Sequence, residues 1–439
     1  MNDNAGSNRS LNNMLRPFQQ FARTEAFSGI LLLFFTVIAL LWANSPLSAA
    51  YVDLWHTNIT FGAGNFSISE PLHFWINDGL MAVFFFVVGL EIKREVMAGE
   101  LSTPRQAALP IIAAAGGMIF PAIIFSLANF GKPGISGWGI PTATDIAFAL
   151  GIMALVGKNV SLGLKVFLAA LAIADDMGAV IIIAIFYTTE LSLIWLGIGI
   201  LFFGLQLLTN YLGVRKIIIY AILGLGLWFS FWKAGIHPTI AGVLSAIVIP
   251  ARTKIEEKEF ISSTKTYLYE FETAPKTLDN SLITKEEQEA IQAIKTTCEK
   301  AETPLQNLEH RLHLWVTYFI MPLFALSNAG VVLGSNFSEA YSSPVTIGVI
   351  LGLIFGKPIG ITLFSYIAVK SRLALLPEEA SWKKILGTGA VAGIGFTMSI
   401  FIANLAFGEG LLLNYAKIGI LSASIVSGLA GWMILRSSR

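Results

Sequence analysis

Long apolar runs alternate with short polar connections over almost the whole chain. An α-helix needs about 20 apolar residues to cross the hydrocarbon core of a bilayer. Twelve runs of that kind stand near residues 27–44, 72–91, 107–129, 139–156, 164–187, 191–209, 216–231, 236–250, 313–331, 344–369, 385–406 and 412–435. Backbone groups in lipid must be bonded within their own segment, so these runs predict membrane-spanning helices, several of them short or broken by Gly and Pro. The first run starts near Phe27 with no small-residue cleavage site, which predicts a spanning helix and not a cleaved leader. Two connections have a pattern of their own. Residues 50–70 carry alternating strands around a Gly62-Ala-Gly64 turn, the signature of a small extramembrane β-hairpin on the periplasmic side. Residues 252–308 form a polar insert between the eighth and ninth spans, with a soluble helix predicted over 284–300, and read as a solvated cytoplasmic excursion. Residues 1–435 thus read as one all-α transmembrane domain.

Composition sharpens this picture. Of 439 residues, 55% are hydrophobic and only 13% are charged. A soluble domain carries roughly 25% charged residues, so most of this surface does not face water. The net charge of +1 argues against a nucleic-acid partner, which needs a basic face. The single cysteine, Cys298, permits no intramolecular disulfide. Lys and Arg set the orientation. With a cytoplasmic N-terminus, 25 of the 29 basic residues fall on the cytoplasmic side, and Lys132, Lys233 and Lys417 fall outside or near the outer edge. Leaving out the long insert, the count is still 16 against 3, so both termini are predicted to be cytoplasmic.

Against that apolar background the buried charges stand out. The fifth span places Asp175 and Asp176 side by side at mid-helix. One Asp at the bilayer centre costs ~2.5–3.5 kcal/mol on insertion scales, and ionisable groups kept there are functional by default, although a pair facing neighbouring helices can also serve packing. Carboxylate oxygens suit a hard cation such as Na⁺, and each can instead take a proton. A site that takes either Na⁺ or H⁺, but not both, couples their movements. The fourth span reads Gly139-Ile-Pro141-Thr-Ala-Thr144-Asp145, where Pro breaks a helix and Thr and Asp satisfy a freed N-terminus. A discontinuous helix is expected there, with Thr144 lending oxygen to the ion and Asp145 balancing a half-helix; a Pro kink with a merely capping Asp is the plainer alternative. The eleventh span repeats the interruption in Gly387-Thr-Gly389…Gly393-Ile-Gly395-Phe-Thr397, whose glycines have the wrong spacing for a dinucleotide loop. Two broken segments in corresponding positions point to an inverted repeat of spans three to five with spans ten to twelve. Lys357, more than ten residues from either end of its span, is the expected counter-charge. Glu91, Lys93, Arg94 and Glu95 end the second span, and Asp78 near its outer start reads as structural or vestibular. His237 and Glu309-His310-Arg311-Leu-His313 bring groups that titrate near neutrality; His310 and His313 lack the further ligands a metal site needs.

The strings WINDGLMAVFFFVVGLEIKRE, TATDIAFALGIMAL, ALAIADDMGAVIIIAIFYT, GIHPTIAGV, MPLFALSNAG, FGKPIGI and GIGFTMSIFIANLAF closely resemble the NhaA family of bacterial Na⁺/H⁺ antiporters, and the match runs from about residue 20 to 435. The resemblance implies twelve helices, electrogenic exchange of more than one H⁺ per Na⁺ or Li⁺, activation at alkaline pH, a bacterial inner-membrane location and a homodimer joined partly by the hairpin. It implies that Asp175 and Asp176 bind the ion, that Thr144 and Asp145 are the broken-helix residues, that Lys357 is the buried lysine, and that Glu91, Arg94, Glu95, His237 and Glu309 belong to the pH response. No cofactor is implied. The 252–308 insert is longer and more polar than the family leads one to expect. Two rivals remain at this point. An intramembrane aspartyl protease also needs buried acids, normally from different helices. A passive Na⁺ channel is opposed mainly by the broken-helix repeat, which fits alternating access.

Overall fold

The computed structural model describes residues 27–63, 66–157, 160–188, 191–275, 283–332 and 337–438. Leaving aside the N-terminal tail, whose three arginines contribute to the orientation count, and Gly64 of the predicted turn, which lie outside these residues, the chain is helical with one two-stranded sheet. Helix α1 (Phe27–Ala43) turns through 113° into α2 (Ser48–His56). The hairpin pairs β1 (Asn58–Ala63) antiparallel with β2 (Phe66–Pro71), Thr60 opposite Ser69. The strands therefore occupy only the later part of 50–70; the earlier part is helical, with Tyr51 and Trp55 buried one turn apart and Tyr51 donating to the Leu326 carbonyl at 2.7 Å.

The remaining helices are α3 (Leu72–Ala98), α4 (Pro104–Ala128), a 3₁₀ segment (Pro133–Thr142), α5 (Ile146–Val156), α6 (Leu162–Phe186), α7 (Leu193–Tyr211), α8 (Ile217–Ala234), α9 (Thr239–Val248), α10 (Glu257–Thr273) and α11 (Lys285–Ala301). They continue with α12 (Pro304–Trp315), which runs through a π turn into α13 (Met321–Asn328), then α14 (Phe337–Ser342), α15 (Pro344–Lys370), α16 (Trp382–Ala392), α17 (Phe396–Phe407) and α18 (Leu411–Ser437). Among the described residues seven helices are long and apolar enough to span a bilayer, or ten if each bent pair is one span. The predicted eighth span is only the 10 residues of α9. Outward-facing Leu193, Ile194, Ile200 and Leu201 on α7 are what a lipid-facing helix presents.

Close packing of small residues holds the site-bearing helices together. Helix α4 lies along α15, and there Gly116 and Gly360 meet backbone to backbone: a Cβ on either would collide with the other's carbonyl oxygen. Small residues at such contacts are the usual means of association inside a membrane, where burial of apolar surface drives nothing. The polar insert folds as an antiparallel pair, α10 on α11, with Thr284 and Glu287 forming a capping box at the start of α11. Its ends are drawn together by Lys254 N–H donating to the Lys300 carbonyl at 2.9 Å.

Candidate functional site

Both predicted helix breaks are present, and they cross. The 3₁₀ segment bends by 44° into α5 across Ala143–Asp145, and α16 bends by 49° into α17 across Gly393–Gly395. Each break leaves orphan backbone groups that must be bonded away from water. The two breaks satisfy one another. Asp145 N–H donates to the Ile394 carbonyl at 2.7 Å, Thr144 Oγ1 to the Ala392 carbonyl at 2.9 Å, and Ser399 Oγ to the Ile140 carbonyl at 2.8 Å. The Asp145 carboxylate caps two half-helices at once: it accepts from Phe148 N–H of α5 at 3.2 Å, and from Thr397 N–H at 3.2 Å and the Thr397 hydroxyl of α17. An anion between two N-termini is favoured by both half-helix dipoles.

Helix α6 passes beside this crossing and delivers the two aspartates, both buried. Sequence treats them as a pair; the structure gives them different surroundings. Asp175 Oδ2 lies 2.8 Å from Lys357 Nζ and accepts from Thr144 Oγ1 at 2.7 Å. Its Oδ1 is buried with no hydrogen-bond partner among the described residues. Asp176 instead lines a cleft with Phe84, Glu91, Thr144, Asp145, Met321 and Thr397. Lys357, fully buried, also donates to the Thr142 carbonyl at the end of the 3₁₀ segment. It therefore faces both an acid and the negative end of a half-helix. A π turn (Gly352–Gly356) immediately precedes Lys357, a local irregularity common at functional sites.

The titratable residues divide into two groups. At the end of the cleft that faces the insert, Arg94 bridges Glu309 at 2.6 Å and Glu95 at 2.9 Å, and His313 lies 3.4 Å from Glu91. These contacts tie α3 to α12. Glu309 precedes the span, and burial pushes its carboxyl up to about 7, outweighing the Arg94 guanidinium. His237 lies apart from this group. Its Nε2 is 3.2 Å from Asp78, its Nδ1 is 2.7 Å from Thr239 Oγ1, and its ring meets Phe401 edge-on. Among the described residues no group of three or more His, Cys, Asp and Glu is arranged to hold a metal ion, so His310 and His313 gain no further ligand of those types.

Two features escaped sequence reasoning. Lys417, expected at the outer edge, is buried within α18. Asn77, Asn328, Asn404 and His73 form one hydrogen-bonded cluster between α3, α13 and α17. Amides near helix ends carry no distinctive spacing; their position inside apolar runs is the only signal available.

A family model described as Na⁺/H⁺ antiporter 1 matches residues 19–435. The chain is 50% identical over 426 residues to a protein of Oleidesulfovibrio alaskensis named Na(+)/H(+) antiporter NhaA, covering 97% of this chain and 95% of that one. It is 49% identical to the protein of the same name in Koribacter versatilis, covering 96% and 91%, and 49% identical to that of Wolinella succinogenes, covering 94% and 92%. With apolar helices that cross a membrane several times and a matching model over nearly its full length, the chain belongs to the Na⁺/H⁺ antiporter 1 family.

Proposed function

We propose that the protein is a secondary antiporter that exchanges Na⁺ or Li⁺ for more than one H⁺ across the bacterial inner membrane, with Asp175 and Asp176 as the groups that carry both. The observation that bears most weight is the placement of two buried carboxyls beside the two helix breaks, with Asp176 lining a cleft shared with Thr144, Asp145 and Thr397. Na⁺ in this scheme is cargo. Asp176, on the cleft, meets it first; Asp175 Oδ1, buried without a partner, is the second anionic oxygen in reach of the same helix turn. Each carboxylate that binds Na⁺ must have shed its proton, and each that takes a proton gives up the cation, so one site serves two ligands in turn. Asp176 gives up one proton and the Asp175–Lys357 pair, which holds a second between carboxylate and amine, gives up the other, so two protons leave for one Na⁺ and the exchange moves net charge.

Lys357 keeps the arrangement neutral enough to exist in the membrane. A buried charge with no partner is costly, and Asp175 and Lys357 meet that requirement for each other while Asp145 is balanced by two half-helix N-termini. The meeting of the 3₁₀ segment and α5 with α16 and α17 supports an inverted repeat within a twelve-helix fold, in which α9 and the stretch from residue 313 to the end of α13 count as spans. The insert lies on the cytoplasmic side, like both termini, and the β-hairpin lies on the periplasmic side as part of a homodimer contact. The Glu91, Arg94, Glu95, Glu309 and His313 group, at the cleft's mouth, is the proposed seat of pH response, with His237 and Asp78 acting from the other side. The test is flux in proteoliposomes. An imposed Na⁺ gradient drives H⁺ the opposite way; Na⁺ movement without H⁺ counter-movement would leave a channel as the better reading.

A further inference from the structure

The end of the cleft nearer the β-hairpin is closed by two successive layers, each built from the same three helices. On α3, Glu91, Val88 and Phe84 line the cleft; Phe85, the next residue after Phe84, is buried outside that lining, and Asn77 lies about two turns from it towards the hairpin. On α13 the order is Met321, Phe324, Asn328, and on α17 it is Thr397 and Met398, Phe401, Asn404. The Phe401 ring lies 5.4 Å from Phe85 and 6.2 Å from Phe324, centroid to centroid, and all three rings are buried. One turn further on, Asn404 Nδ2 donates to Asn328 Oδ1 at 2.7 Å and Asn328 Nδ2 donates to Asn77 Oδ1 at 2.8 Å. His73 Nε2 meets Asn328 Oδ1 at 3.1 Å.

A structural plug does not require the second layer. Apolar side chains fill space inside a membrane without the cost of desolvating amides, and removing one partner of such a network leaves others unsatisfied. Carboxamide oxygens are neutral hard ligands, suited to a cation that must be held only in passing. The cluster also keeps an acceptor in reserve: Asn404 Oδ1 is buried with no hydrogen-bond partner among the described residues, although Nδ2 of the same amide is engaged. We propose that Asn77, Asn328 and Asn404 form a neutral, oxygen-lined station through which Na⁺ passes between Asp176 and the hairpin side, shut in this state by the three rings and by the amides' own hydrogen bonds. Asn404 rides on the broken helix while Asn77 and Asn328 belong to helices packed against it, so the Asn404–Asn328 bond is the one that opening must break. The inference rests on the antiport reading.

The test compares the two faces of the membrane. Right-side-out and inverted vesicles carrying wild type, Asn404→Leu or Asn404→Ala are assayed for Na⁺-driven H⁺ movement as a function of Na⁺ on the outer face of each vesicle. The half-saturating Na⁺ concentration should rise about tenfold when Na⁺ is supplied from the hairpin side, the equivalent of one lost ligand, and stay at the wild-type value from the insert side. A merely structural role moves both faces together or lowers the melting temperature alone. Equal shifts on the two faces, or no shift in a variant that inserts and melts like wild type, would overturn the station. If the leucine variant does not insert, the alanine variant is read by the same criterion. Wild-type vesicles that exchange no H⁺ for Na⁺ would remove the antiport reading and the station with it; active wild type with no one-sided shift removes the station alone.

Discussion

Asp175 and Asp176 are neighbours in sequence with unequal tasks, and single substitutions should separate them. Asp175→Asn takes the anion away from a buried Lys357. Breaking a buried pair by removing one partner costs about 3–5 kcal/mol, so this variant should lose exchange and melt well below wild type. Asp176→Asn alters a cleft-lining residue and should abolish exchange while leaving the melting temperature close to wild type. Thermal melting alongside flux separates the two, and equal melting behaviour would remove the distinction. Glu309 carries the pH prediction. Burial raises its carboxyl from 4.5 to about 7, so the folded protein favours the protonated form. Stability due to that preference is present below pH 4.5 and lost as pH rises from there through about 7. Above that range Glu309 is ionised and its pairing with Arg94 is strongest. Glu309→Gln cannot titrate, so it should remove this slope from the melting-versus-pH curve and flatten the activity profile around neutrality; an unchanged profile assigns the pH response to another group.

At the scale of elements, the crossing depends on Asp145 serving two half-helices. Loss of one N-cap typically costs about 0.5–2 kcal/mol, and here two are lost together. Asp145→Ala should therefore lower the melting temperature by several degrees, whereas Asp145→Asn, itself a good cap, should recover most of it. Equal destabilisation by both would mean that the negative charge, and not the capping geometry, holds the crossing together. Much of this was legible in the sequence. Charges inside an apolar run stand out whatever their surroundings, which is why Asp175, Asp176, Asp145 and Lys357 could be picked out, and Pro and Gly marked both breaks. Facing direction was not legible: nothing in an Asp-Asp pair says which carboxyl meets Lys357 and which meets the cleft. Nor was the amide cluster, whose members lie 251 residues apart between Asn77 and Asn328. The helix in the early part of 50–70 was hidden because its pattern gave no signal stronger than the strands that follow.

For the whole molecule, the insert and the transport core are joined at a narrow neck. Lys254 and Lys300 are hydrogen-bonded to each other, so residues 255–299 can be removed and a short Gly-Ser bridge inserted without moving α12. Exchange should remain measurable in that variant, with Glu309 and Arg94 still paired. A shortened protein that inserts and melts normally yet exchanges nothing would make α10 and α11 part of the machinery. The central claim, however, is that Na⁺ and H⁺ take turns on the same buried carboxyls, and the most direct measurement is the Na⁺ dependence of transport current on a solid-supported membrane at a series of pH values. If the two ions compete, lowering the pH raises the half-saturating Na⁺ concentration, by up to about tenfold per pH unit for each competing proton, while the maximal current at saturating Na⁺ is recovered. A half-saturating concentration that stays constant while the maximal current falls with pH would mean that protons act elsewhere, and would contradict the account.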